Sequence, residues 1–218
     1  LSRLHPSTTK WPSMSIVFCT PMRAININVL VDDKVTTIQR TEPLTWEWHR
    51  ARQRLVTPTN TFWGELETIG HPVAEARNMA AKKCLESKQV VEFLFFLDND
   101  VIPPPPALTR LHYQARQHPE CDIFFGPYCT KSDPPEPLIY KEDDTGAFWD
   151  WTVGDVLIDG IGFVGMGCTL IRTSLFSRLP HTEEQPWFRT VDEVEHTPGY
   201  PLQTQRTEDA WFCRRATG

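Results

Sequence analysis

Two aspartates one residue apart, Asp98 and Asp100, close an uninterrupted apolar run, Phe93-Leu94-Phe95-Phe96-Leu97. Paired carboxylates on a turn offer hard oxygen ligands, which suit Mg²⁺ or Mn²⁺ carrying a phosphate group. Asp and Asn also end strands and open turns unaided, so the remaining chemistry-bearing residues must be weighed beside them. A second cluster holds four glycines in eight residues, Gly160, Gly162, Gly165 and Gly167, directly behind Asp159. Glycine lets backbone approach a ligand closely. This spacing is not the GxGxxG dinucleotide fingerprint, and the segment precedes a strand instead of following one. A flexible turn is its plain alternative. The third cluster is Glu208-Asp209 after Thr207. Acids in a first helical turn favour the helix dipole whatever else they do. Glu142-Asp143-Asp144 reads as a solvated acidic turn and is assigned no metal.

These residues need elements to hold them. The apolar run at 93–97 is too short and too uniform for an amphipathic helix and predicts a strand over 92–97 buried on both faces. Such strands belong to parallel sheets covered by helices, where ligands gather at the carboxyl ends of the strands. Residues 15–19 predict a first strand and 122–126 another. Residues 168–171 predict one more strand, and 138–140 an edge strand behind prolines. Pro72 opens a helix in which Val73, Ala76, Ala80 and Cys84 recur at helical spacing. Residues 106–117 predict a second helix with Leu108, Leu111 and Ala115 on one face. Thr173 is expected to cap a short helix to Arg178, and Thr207 to cap one starting at Glu208. Residues 28–39 are ambiguous: a helix is possible, although Val35-Thr36-Thr37-Ile38 is β-branched. Residues 54–56 suggest a short strand, 181–206 a loop, and Trp149 and Trp151 stand at strand spacing. Alternating strands and helices make the class α/β.

The bulk properties agree with one domain over all 218 residues. A net charge of −6 argues against a nucleic-acid-binding surface. No apolar run approaches a membrane span. The six cysteines, Cys19, Cys84, Cys121, Cys129, Cys168 and Cys213, form no zinc spacing. Most lie among apolar neighbours and read as buried free thiols of a reducing compartment, the cytoplasm.

In order along the chain, Ser15-Ile16-Val17 with Cys19-Thr20-Pro21, Ala76-Arg77-Asn78-Met79-Ala80-Ala81, Phe95-Phe96-Leu97-Asp98-Asn99-Asp100, Gly162-Phe163-Val164-Gly165-Met166-Gly167-Cys168 and Thr207-Glu208-Asp209-Ala210-Trp211-Phe212 form a set. The set resembles the GT-A glycosyltransferases, the family-2-like group in particular. In that group a nucleotide loop follows the first strand, an "ARN-A" helix start precedes the central strand, and DXD, glycine-rich acceptor-side and xED segments follow. The resemblance implies a Rossmann-like, mostly parallel central sheet flanked by helices. It also implies a nucleotide-sugar half over about residues 1–127 and an acceptor half over about 128–218.

What the resemblance implies in function is transfer of a sugar, of hexosyltransferase type, from a nucleoside-diphosphate donor, UDP- or GDP-linked, to a hydroxyl of an acceptor it does not identify. Asp98 and Asp100 would bind Mn²⁺ or Mg²⁺, with Asp98 touching the ribose or a metal-bound water. Thr20, Pro21 and Arg23 would line the base and ribose, and Arg77, Asn78 and Asn99 would face the nucleotide. Asp209 would be the general base of an inverting displacement, with Glu208 second for that role. Trp149, Trp151, Gly162 and Phe163 would form the acceptor side. Family members continue past xED to a histidine that completes metal binding. The C-terminal end is therefore expected to be incomplete here, with His181 and His196 poorly placed as substitutes. Two alternatives stand beside this: a catalytically inactive nucleotide- or glycan-binding domain, and a nucleotidyltransferase. The latter usually carries a glycine-rich basic loop where Thr20-Pro21-Met22-Arg23 stands.

Overall fold

The computed structural model describes residues 15–22, 24–31, 34–41, 44–59, 61–141, 146–155, 161–197 and 200–217. Strand β1 (Ser15–Met22) is followed by β2 (Ala24–Val31), β3 (Lys34–Thr41), α1 (Trp46–Arg54) and β4 (Phe62–Ile69). Next come α2 (Val73–Glu86), β5 (Phe93–Leu97), α3 (Ala107–Gln117), β6 (Ile123–Phe125), β7 (Ile139–Lys141) and β8 (Ile161–Val164). The chain closes with β9 (Cys168–Arg172), α4 (Thr173–Arg178), β10 (Val191–Thr197), β11 (Tyr200–Arg206) and α5 (Glu208–Thr217).

The central sheet runs β4-β1-β5-β9-β6. β1 is parallel to both β4 and β5, while β9 is antiparallel to β5 and β6. The sheet is therefore mixed, with one reversed strand among parallel ones. β5 occupies the middle, and all five of its side chains are fully buried. Leu94 and Phe96 pack with Ala80, Ala81 and Cys84 of α2, Leu175 and Phe176 of α4, and Phe212 of α5. Phe93, Phe95 and Leu97 pack on the other face with Trp48 of α1 and Leu108, Leu111 and Ala115 of α3. At about 1.5–3 kcal/mol for each large apolar side chain removed from water, this strand anchors both layers.

Four elements differ from what the sequence predicts. The described residues of this stretch, 28–31 and 34–39, are not helical; they belong to the antiparallel pair β2–β3, where the β-branched residues weigh for the strand. Residues 54–56 form no strand, because Arg54 ends α1 and Leu55 caps it in extended conformation. Much of 181–206 is the antiparallel pair β10–β11, with Pro198 and Gly199 between the strands in the sequence. Trp149 and Trp151 share no strand; the Trp151 N–H reaches back to the Trp149 carbonyl at 3.1 Å. Thr173 is also the first residue of α4 and not its cap, and its hydroxyl donates to the Val91 carbonyl. Of the six free cysteines, Cys19, Cys84, Cys168 and Cys213 are buried, Cys121 is half-buried and Cys129 is exposed. No helix of the described residues is long and apolar enough to cross a membrane. The acidic turn at 142–145 lies outside the described residues.

Candidate functional site

Asp98 is the first residue past β5, at the carboxyl edge of the sheet. Its backbone is pinned from two sides. Its N–H donates to the Gly167 carbonyl at 2.9 Å, and its carbonyl accepts from Trp48 Nε1 at 2.8 Å. The carboxylate takes a two-pronged contact from Arg77 Nη2, at 3.1 Å to Oδ1 and 3.0 Å to Oδ2. Arg77 projects from α2 and is only 1% exposed. Its Nη1 donates to Glu208 Oε1 at 2.9 Å and to Asp209 Oδ1. Asp209 Oδ2 in turn accepts the Met166 N–H at 3.1 Å. One guanidinium thus joins carboxylates from the end of β5 and the start of α5.

The helix starts explain why these residues meet. Pro72 stands at the N-cap of α2, so Arg77 lies in the second turn on the face shared with Ala76 and Ala80, both fully buried. The Ala210 N–H reaches the Thr207 hydroxyl at 3.5 Å, the expected cap of α5, so Glu208 and Asp209 sit in its first turn.

The electrostatics are uneven. Burial opposes the charge of Arg77, but Asp209, Asp98 and Glu208 hold its proton affinity above the ordinary guanidinium range. Burial pushes the Asp209 carboxyl up to about 7, against the pull of Arg77 and with the repulsion of Glu208 and Asp98 adding to it. Three carboxylates face one cation, so the cluster is net negative when all are ionised. Arg77 Nε is buried without a hydrogen-bond partner among the described residues.

Tyr128 went unnoticed in the sequence. Its hydroxyl accepts the Gly167 N–H at 2.8 Å. A Cβ on Gly165 would fall 2.4 Å from that hydroxyl, and one on Gly167 would fall 2.7 Å from it and 2.9 Å from Asp98 Oδ2. The glycines of the second cluster are thus needed for close packing against Tyr128 and Asp98.

The other expected site residues lie as follows. Thr20, half-buried, and Pro21, buried, lie toward the end of β1 on the same sheet edge, one and two residues beyond the Cys19–Phe96 pairing. Arg23 lies outside the described residues. Asn78 is occupied: its Nδ2 donates to the Phe188 carbonyl at 2.7 Å, and its Oδ1 accepts the Phe188 N–H at 3.0 Å. It ties α2 to the segment before β10. Asn99 is half-buried, and Asp100 is exposed with Lys131 Nζ 2.9 Å from Oδ2. Gly162 and Phe163 lie in β8, with the Phe163 ring stacked on Tyr140 at 4.5 Å. Trp149 is exposed and Trp151 half-buried.

The acids of this edge do not form a ready-made metal cage among the described residues. Both Asp98 oxygens are engaged by Arg77, and no group of three His, Cys, Asp or Glu among the described residues is arranged to hold an ion. Among the described acids of this edge, Asp100 presents the most exposed carboxylate. One such carboxylate is compatible with an ion that arrives with phosphate ligands of its own, since Mg²⁺ usually binds through one or two carboxylates plus substrate phosphates.

No family profile matches the chain, and no curated protein matches it. Its fold is similar to that of A197 from STIV in the crystal structure of that protein, with a TM-score of 0.52 and 18% identity over 93% of this chain and 78% of that one. At that identity the likeness speaks for the fold alone.

Proposed function

We propose that the chain is a metal-dependent glycosyltransferase of GT-A type, moving a sugar from a nucleoside-diphosphate donor to an acceptor hydroxyl. The observation that carries this reading is the convergence of three separate motifs on Arg77. The DXD aspartate Asp98, the arginine of the "ARN" helix and the acids of the xED segment meet at the carboxyl end of the central strand. Ligands of open α/β sheets gather at that edge.

On this reading Asp209 accepts the proton of the acceptor hydroxyl. That oxygen bonds to the anomeric carbon as the bond to the diphosphate breaks, and nucleoside diphosphate leaves. A carboxyl pushed up to about 7 is matched to a base working near neutrality. Each Asp209 oxygen holds one donor, Arg77 or the Met166 N–H, and keeps a lone pair for the acceptor. Asp100 would hold Mn²⁺ or Mg²⁺, whose charge offsets that of the departing diphosphate. Thr20 and Pro21 would border the nucleoside, and Phe163 the acceptor.

One observation favours a second reading. Arg77 already satisfies Asp98 on both oxygens and engages Glu208 and Asp209, as it would in an inactive nucleotide-binding domain. The test is a thermal-shift panel of UDP, GDP, dTDP, CDP and ADP with and without Mn²⁺, followed by nucleoside-diphosphate release from matching donors. A shift with one base that needs metal and is lost in Asp100→Asn supports the donor site. Turnover that falls about 10²–10⁴-fold in Asp209→Asn supports the base. A shift without turnover selects the inactive domain, and no shift with any pair refutes the nucleotide site.

A further inference from the structure

Tyr128 lies before the β7–β8 pair, on none of the elements that carry the acidic cluster, yet the glycine turn is built around its hydroxyl. Both backbone polar groups of Gly167 are engaged: its N–H donates to Tyr128 Oη at 2.8 Å, and its carbonyl accepts the Asp98 N–H at 2.9 Å. One residue earlier, the Met166 N–H meets Asp209 Oδ2 at 3.1 Å. The turn is also tied to the Tyr128 backbone. The Leu138 N–H donates to the Tyr128 carbonyl at 3.0 Å, and the Gly165 N–H donates to the Leu138 carbonyl at 2.9 Å. Met166 and Gly167 are buried, so a displaced N–H would find no water in exchange.

From this chain of contacts we infer that Tyr128 is a positioning residue: its hydroxyl holds the Gly165–Gly167 turn so that the Met166 N–H stays on Asp209. The role rests on the proposed function only in that Asp209 is the base there; the contact itself can be tested without turnover. The groups that bear on Asp209 are Arg77 from α2, Glu208 from its own helix, Asp98 from the end of β5 and the Met166 N–H. Burial, then the charges of Asp98 and Asp209, keep the Tyr128 phenol protonated far above neutrality. It therefore acts by holding a hydrogen bond, not by titrating. Removing the hydroxyl releases the Gly167 N–H, loosens the Met166 contact and weakens at the Asp209 carboxylate a donor that favours its charged form.

The experiment compares the isotope-labelled chain with Tyr128→Phe. The Met166 and Gly167 amides should be protected from hydrogen exchange in the wild type and lose about tenfold or more of that protection in the variant. The Asp209 carboxyl resonance, assigned by its disappearance in Asp209→Asn, should titrate about one pH unit higher in the variant, the worth of a hydrogen bond to a carboxylate. If donors turn over, the acidic limb of the pH profile moves with it. Unchanged exchange and an unchanged titration in Tyr128→Phe overturn the role. Should the variant not fold, the wild type decides. Protected Met166 and Gly167 amides whose shifts follow the Asp209 titration support the role, and an unprotected or pH-insensitive pair overturns it. Absence of turnover with every donor would sink the glycosyltransferase reading and leave these measurements standing.

Discussion

Replacing Arg77 by methionine should expose how much of the fold depends on one buried charge. The guanidinium is 1% exposed, while the side chains of Asp98, Glu208 and Asp209 retain 24%, 11% and 17% exposure. Methionine fills similar volume, so the change is chiefly electrostatic and leaves three carboxylates repelling each other in a poorly hydrated site. Removing one partner of a buried ion pair destabilises by about 3–5 kcal/mol. With three anions left behind at pH 8, the loss should lie at the upper end of that range, lowering the melting temperature by about 10–20 °C in a chain of this size. At pH 5 the loss should shrink. Asp209 is then already protonated, since burial holds its carboxyl up to about 7, and one of the three repelling charges is gone. Salt should rescue little, because the pair is shielded from solvent. Arg77→Lys keeps the charge but cannot fork across Asp98 while reaching two further acids, so it should fall between wild type and Arg77→Met. Urea unfolding of the three proteins at pH 5 and pH 8 measures all of this. A methionine variant within about 1 kcal/mol of wild type at pH 8, or equally destabilised at both pH values, would refute the electrostatic reasoning.

Two further outcomes follow from the same geometry. The Asp209 carboxyl is raised from 3.8 to about 7 in the fold. Between those values the folded chain holds a proton that the unfolded chain has released, so this group's contribution to stability is full below about pH 4 and is lost as pH rises through 7. Asp209→Asn removes the titration, so its stability relative to wild type should grow by as much as about 4 kcal/mol from pH 4 to pH 8, and a flat difference in urea unfolding would count against the raised carboxyl. Asn78→Ala strips the partners from both the N–H and the carbonyl of Phe188, whose ring stacks on Phe212 at 4.4 Å. It should destabilise by about 1–3 kcal/mol, and an unchanged thermal melt would show that the clamp carries no weight.

The sequence was readable where burial imposes a period. The run at 93–97 could only be a strand covered on both faces, and Ala76, Ala80 and Cys84 mark the buried face of α2 as their spacing predicts. It was faint where burial is sparse. Helix α1 buries only Trp48 and Ala51, so its nine residues carry little helical pattern and Leu55 beyond it could pass for a strand. The β10–β11 pair is not part of the central sheet, and the polar sequence of β10 gives no alternation to read. The reversed direction of β9 was equally hidden, since a fully buried strand reads the same whether it runs parallel or antiparallel. At the site, types and order were legible, and partners were not. Arg77 reads as a residue facing a ligand, whereas in the fold it faces three carboxylates. Tyr128 has no periodic signal at all, and its presence was encoded indirectly by the two glycines that make room for it.

The charge balance links the cluster to the proposed chemistry. Asp98, Glu208 and Asp209 outnumber Arg77, and Asp100 beside Lys131 adds a balanced pair further out. A diphosphate approaching this edge alone meets net negative charge. At about 4 Å and an effective dielectric near 20, each unit pair repels by about 4 kcal/mol, enough to change binding by nearly a thousandfold. Two things can relieve that repulsion. Asp209 can take up a proton, which its raised carboxyl permits near neutrality, or a divalent cation can arrive with the phosphates and draw Asp100 from Lys131. A proton on Asp209 would stop it from acting as base, so an active enzyme has to use the cation. An inactive binding domain could use either. Nucleotide binding that strengthens with Mn²⁺ at pH 8 but needs no metal at pH 5 would therefore mark the proton route, and a metal requirement at both pH values would mark the cation route that the glycosyltransferase reading demands.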